Sequence, residues 1–208
     1  MNLFFLTQLV VAGLMCGSMF FKALETTQGV SLSLQIILEL FVLLHLKLVQ
    51  AAHKMAPSSI TSEAIIIYRV YGTLTAVVIG VICLSDDYRW CRNDTNTMAL
   101  AGISALAICS AAMIFSTPMT DPIPKSLLAI AFKALPQWMM AWKIGAEGGA
   151  GIPMVTIIAG NVSVLLRIWM IAKSIKDAGW ERNRTWLLIS ETFNELSWAT
   201  VSLVWWLR

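Results

Sequence analysis

The sequence predicts an all-α integral membrane protein of seven transmembrane helices, arranged as two parallel three-helix bundles joined by a single linker helix, a 3+1+3 repeat. Three observations carry this. Of 208 residues, 58% are hydrophobic and only 13% charged, and the mean hydropathy is +0.73, a balance that a water-soluble domain does not have. Apolar runs of about 20 residues, the length a helix needs to cross the hydrocarbon of a bilayer, can be read seven times between polar breaks. The polar turns on either side of the fourth run then repeat one another.

The spans fall at about residues 3–24, 30–50, 63–84, 98–117, 123–144, 152–173 and 185–207. The first lacks a basic segment before it, so it reads as a retained span and not as a cleaved signal. Glu25 to Gly29 breaks the chain before the second, and Pro57 with its polar neighbours breaks it before the third. Residues 85–97 form a long polar loop in which Asn93-Asp-Thr95 is a glycosylation acceptor sequence. Pro118, Pro122 and Pro124 separate spans four and five, glycines at 145–151 separate five and six, and a charged stretch at 174–184 separates six and seven. Trp186, Trp198, Trp205 and Trp206 suit interface anchoring of the last span.

Spans one to three correspond to spans five to seven. Lys22 leads through a polar turn to Gly29 and an apolar helix, and Lys143 leads through a polar turn to Gly151 and another. This divides the chain into a first bundle at 1–97, a linker helix at 98–121 and a second bundle at 122–208. Cys16 and Cys109 lie in apolar runs, and no Cys/His spacing forms a metal or redox site; a Cys83–Cys91 link is left open by spacing. A net charge of +3, scattered along the chain, gives no footprint for nucleic acid. The partner implied is the lipid bilayer.

Ionisable and amide groups inside spans are costly in hydrocarbon and so face a partner or a wet cavity. Glu39, Lys133, Glu191 and Glu195 are of this kind. Lys133 is the natural counter-charge for a buried carboxylate, and a Glu39–Lys133 tie between the halves is one expectation. Glu191, Asn194 and Glu195, at i, i+3 and i+4, share a face of the last span, which reads as a cavity lining. Pro136 removes a backbone donor, frees a carbonyl one turn earlier and bends the fifth span, a hinge or cavity-facing kink; Gln137 beside it can both donate and accept. Arg167 has two readings, snorkelling to the interface or gripping phosphate with its planar fork. Asn161 and Asn194 can bind hydroxyls or tie helices, and Trp138 and Trp142 can stack on a sugar ring or anchor at the interface. No nucleophile, base and acid set is spaced for catalysis, and no cofactor-binding loop opens a helix; the chain reads as a non-enzyme.

The Pro136-Gln137 pair on a helix, followed by a glycine-ended turn and an apolar helix, resembles the PQ-loop superfamily, which includes the SWEET sugar carriers. Within it the chain resembles the mannose-P-dolichol utilization defect 1 proteins. The residues that carry this are Gly29-Val-Ser-Leu-Ser-Leu-Gln-Ile-Ile-Leu-Glu-Leu40, Ser62-Glu-Ala64, Ser163-Val-Leu-Leu-Arg-Ile168 with Ser174-Ile-Lys-Asp-Ala-Gly179, and Asn194-Glu-Leu196. The first half lacks the Pro-Gln pair. The resemblance implies a membrane protein of the endoplasmic reticulum needed for lumenal use of dolichol-phosphate-linked mannose and glucose in glycosylation. Dolichol-phosphate sugars are then the partner, and Glu39, Gln137, Asn161, Arg167, Glu191 and Asn194 the candidate substrate-binding residues. It favours the phosphate reading of Arg167. The alternative is a SWEET-type carrier of a free sugar or amino acid. Lysines and arginines lean slightly toward a cytoplasmic N-terminus, whereas the superfamily implies a lumenal one.

Overall fold

The computed structural model describes residues 3–148 and 151–208. Every regular element among them is helical: α1 (Leu3–Glu25), α2 (Leu32–Met55), α3 (Ser59–Leu84), α4 (Arg92–Ile114), α5 (Pro122–Ala129), a π-helical turn (Ile130–Ala134), α6 (Leu135–Glu147), α7 (Met154–Ala178) and α8 (Arg182–Trp206). The segment from α5 through the π turn to α6 has no break and forms one rod. Helices α1, α2, α3, α4 and α7 are each long and apolar enough to cross a membrane, which makes the chain a multi-pass membrane protein.

Helix ends extend past the apolar runs because backbone propensity and caps, not hydropathy, decide where a helix stops. Helix α2 runs on to Met55. Helix α3 starts at Ser59 because Ser58 and Thr61 cap each other reciprocally. The largest correction is α4. The polar residues from Arg92 to Thr97 read as loop in the sequence but form its first turns. Asp94 makes this possible: from the third helical position its side chain accepts from the backbone of Cys91. The span expected at about 98–117 is therefore a helix that begins six residues earlier and ends at Ile114. Asn93 lies on a helix and not in a loop, with its Nδ2 buried and unpartnered. As placed, that amide is inaccessible to glycosylation. All four cysteines are free.

Within the first half, α3 packs along both α1 and α2, while α1 and α2 scarcely touch; within the second, α8 packs along both the α5–α6 rod and α7. Each half thus places its third helix between its first two. The halves meet where α1 runs along α7 and where α2 faces the π turn and α6, with α4 lying against α2 and the rod. Helix α1 shows how sequence produces this: Phe5, Gln8, Ala12, Cys16, Met19 and Ala23 are buried at three- and four-residue spacing, one stripe along the helix.

Two glycines settle the approach of the halves at one end. Gly29 has φ 76°, a left-handed turn that suits a residue without Cβ. Opposite it, a Cβ on Gly151 would lie 2.0 Å from the Gly29 carbonyl oxygen, so the backbones of the two glycine-ended turns touch. Lys143 crosses the same boundary, donating from Nζ to the Val30 carbonyl at 3.0 Å, and Ser18 bonds Thr156 at 2.6 Å. This end is closed by contacts between halves.

Candidate functional site

A cavity lies between the halves, lined from both. Its empty volume is ≈ 1160 Å³ counting its open mouth, of which ≈ 100 Å³ is room for the centres of water-sized molecules; that is space for on the order of seven to ten waters. Most of the wall is apolar, with Met15, Cys16 and Leu38 from the first half facing Met140, Val164 and Trp198 from the second. Ser31, Gln35 and Thr156 line it on α2 and at the start of α7, while the charged groups gather at one level.

At that level, Lys133 comes from the π turn, Arg167 from α7 and Glu191 from α8. Lys133 Nζ donates to Glu191 Oε1 at 2.7 Å with both side chains buried. Arg167 Nη1 stands 3.7 Å from the same oxygen, and its side chain is 30% exposed, open to the cavity. Lys133 also sits over the Phe41 ring of α2, 5.2 Å from the centroid, a favourable placement for a cation with little water. The π turn matters here. Leu135 N bonds Ile130 O across the wide turn, immediately before Pro136, whose ring has no N–H to offer. A π turn inserts one residue into the helical register, and Lys133 lies on that inserted stretch.

Amides complete the ring. Gln8 Oε1 on α1 accepts from Arg167 Nε at 3.2 Å, from Arg167 Nη2 at 3.0 Å and from Ser163 Oγ at 3.2 Å. A guanidinium only donates, so the orientation of the Gln8 amide is fixed, and its Nε2 is left buried without a partner. Asn194 Nδ2 donates to Glu191 Oε2 at 3.1 Å. The carboxylate only accepts, so Asn194 Oδ1 faces the other way, also buried and unpartnered. Ser197 Oγ stands against Gln137 Oε1 and the Asn194 carbonyl, its one O–H shared between them, and holds Gln137 on the cavity wall.

The candidate residues divide accordingly. Gln137, Asn194, Lys133 and Arg167 line the cavity, and Glu191 stands behind them as the carboxylate that binds both cations. The Glu39–Lys133 tie is not formed, because the partner of Lys133 is Glu191. Glu39 instead packs at the α2–α3 seam, where Gly72 leaves it room: a Cβ there would lie 3.4 Å from Glu39 Oε1. Asn161 ties α7 to α8, donating to Ile157 O at 2.7 Å and Ser202 Oγ at 3.0 Å. Glu39, Asn161 and Glu195 do not line the cavity, so the shared α8 face is a lining at Asn194 and backs it at Glu191. Trp138 packs edge-on against Phe193, and Trp142 is 75% exposed on the outer surface. Trp198, expected at an interface, is buried and forms part of the cavity wall, its indole pressed onto Gly160.

A second polar centre escaped the sequence. Asp94 is fully buried. Its Oδ1 accepts from Ser31 Oγ at 3.0 Å, Ser33 Oγ at 2.8 Å and Ser33 N at 3.3 Å. Its Oδ2 accepts from Tyr88 OH at 2.9 Å, Cys91 N at 3.2 Å and Cys91 Sγ at 3.1 Å. One carboxylate therefore ties the start of α2 to the start of α4, where helix N-termini favour negative charge. Burial and the adjacent Asp94 push the Tyr88 phenol well above its ordinary range, so it remains a donor. The signal was present as Ser31-Leu-Ser33 across the start of one helix and an aspartate three positions into another, a pattern that names caps but not their meeting.

No family model, curated protein or solved structure matches the chain.

Proposed function

We propose that the chain is a member of the mannose-P-dolichol utilization defect 1 family and acts in the endoplasmic reticulum membrane, moving or presenting the headgroup of dolichol-phosphate-linked mannose or glucose for lumenal glycosylation. The observation that carries this reading is the excess of cation in the cavity: Lys133 and Arg167 share the single carboxylate of Glu191. A buried site that holds one positive charge too many is made for an anion. Arg167 is the group that can meet it, since its salt bridge is the long one and its side chain reaches the cavity.

The physical task fits. A sugar-phosphate headgroup does not cross hydrocarbon unaided, whereas its polyprenyl tail never has to leave it. A polar ring between two bundles lowers the barrier for the head. The corresponding helix order of the two halves, with α3 and α8 each in the middle, supports a 3+1+3 repeat in which all seven rods span the bilayer. Closure at the Gly29 and Gly151 end and the π turn that precedes Pro136 support movement of one half against the other. No covalent step belongs to this reading.

Complementation of cells defective in the use of mannose-P-dolichol tests it. The wild-type chain restores glycosylation. Arg167→Ala impairs rescue, because loss of a charge-assisted contact costs roughly 1.5 to 3 kcal/mol, or about ten- to a hundred-fold in occupancy. Glu39→Gln, outside the cavity, rescues fully at equal expression. A wild-type chain that fails to rescue but makes liposomes permeable to free hexose would instead establish the SWEET-type carrier, which the small water-accessible core of the cavity would also suit.

A further inference from the structure

We infer that the cavity is matched in charge to a phosphodiester carrying hydroxyls, and that it discriminates against the phosphomonoester left once the sugar has been transferred. This rests on the function proposed above and assigns the ionic state of the ligand that the site takes. The ring contains two cations, Lys133 and Arg167, and one anion, Glu191, all from the second half, so its formal charge is +1 − a count that a diester, with one negative charge, brings to zero. A monoester above its second pKa of about 6 carries close to two charges and leaves one uncompensated in a space walled mainly by apolar side chains.

The other titratable groups near the ring do not alter the count. His45 on α2 is buried with Nδ1 against the Phe41 carbonyl and lies outside the lining; Tyr68 and Tyr71 of α3 and Cys16 of α1 line it as neutral groups. Glu39 on α2 and Glu195 on α8 lie outside it, and Lys143 is at the closed end, held on the Val30 carbonyl.

Of the buried unpartnered side-chain atoms, two belong to cavity-lining residues, whereas those of Glu39, Asn93 and Glu195 lie away from the cavity. Gln8 and Asn194 are 4% and 3% exposed and both line the cavity. Gln8 Nε2 is a donor without an acceptor and Asn194 Oδ1 an acceptor without a donor. Buried polar atoms of this kind call for a partner, and hydroxyl groups, which donate and accept, satisfy both once rotation of the two side chains brings these enclosed atoms to the cavity. A ligand whose anion reaches Arg167 sits beside Gln8, which already holds that guanidinium. The phosphate displaces Glu191 from Arg167 at its 3.7 Å contact while the 2.7 Å pair with Lys133 persists.

The test is binding of three probes to the purified full chain in lipid nanodiscs: a hexosyl phosphodiester with a short alkyl chain, the corresponding alkyl phosphomonoester, and a methyl hexosyl phosphodiester without the chain. At about pH 8 the alkyl diester binds at least about tenfold more tightly than the monoester, and lowering the pH to about 5, where the monoester takes up a proton and becomes a monoanion, closes most of that gap while the diester changes little. Glu191→Gln raises the ring to +2 and shifts the preference at high pH toward the monoester. Should that variant not fold, the pH dependence of the wild type decides alone. Equal binding of both esters at every pH overturns the charge match and leaves the proposed function standing. Binding of none of the probes overturns both. Equal binding of the chainless and alkyl diesters retains the charge match and removes the lipid tail from recognition.

Discussion

Glu191→Ala is expected to destabilise the folded chain by about 3–5 kcal/mol, the range found when one member of a buried ion pair is removed and the other stays charged. Glu191 compensates Lys133 at 2.7 Å and Arg167 at 3.7 Å. Its loss leaves a buried ammonium whose remaining named neighbour is the Phe41 ring. Arg167 suffers less because it opens to the cavity and keeps Gln8. The melting temperature in detergent should fall by about 6–20 °C, taking roughly 2–4 °C per kcal/mol for a chain of this size. Combining Glu191→Ala with Lys133→Met removes the orphaned charge and should recover more than half of the loss. A single variant that melts within a few degrees of the parent would show that the pair is not what holds α8 against the π turn.

Asp94→Ala is expected to cost more than about 3 kcal/mol, since donors from Ser31, Ser33, Tyr88 and Cys91 lose their acceptor together and a buried unsatisfied group costs about 1–3 kcal/mol each when water cannot replace it. Asp94→Asn separates hydrogen bonding from charge. One side of the amide still accepts from the serines or from the Tyr88 and Cys91 pair, while the other turns a donor toward donors. The asparagine variant should therefore melt between the parent and the alanine variant. Tyr88→Phe removes one donor to Asp94 and the acceptor of the Leu32 N–H, leaving the other Asp94 contacts in place, and should be the mildest of the three. If asparagine were as stable as aspartate, the carboxylate charge at the two helix starts would carry none of the stability assigned to it.

The helices were legible because lipid imposes a plain rule: a run of about 20 apolar residues must hide its backbone polarity in a helix. The corresponding lysine-to-glycine turns were legible for a related reason. Glycine marks such turns locally, with Gly29 left-handed between α1 and α2 and Gly148 left-handed at the end of α6, and Gly29 and Gly151 meet. What lies across the bundle was not. Glu39 and Glu191 are equally anomalous in a hydropathy profile, and the choice between them as partner of Lys133 depends on rotation of helices about their axes. The π turn shifts that rotation at Lys133 itself. Asp94 was hidden because its neighbours are polar, so burial by a separate helix start had no signature in its own segment. Gln8, a single amide in an apolar span, became informative only once Arg167 stood 3.0 Å away.

The central claim is that the headgroup of a lipid-linked sugar phosphate lies in the cavity between the halves. It is tested most directly by photocrosslinking: a glycosyl phosphodiester lipid bearing a diazirine on its sugar is bound to the purified chain in nanodiscs, irradiated, and the labelled residues are mapped. Label is expected to concentrate on the polar ring, at Gln8, Gln137 and Asn194, and to be lost in Arg167→Ala. Label confined to the outer faces of α3 and α4, at exposed residues such as Ile66 and Ile103, and unchanged in that variant, would contradict it.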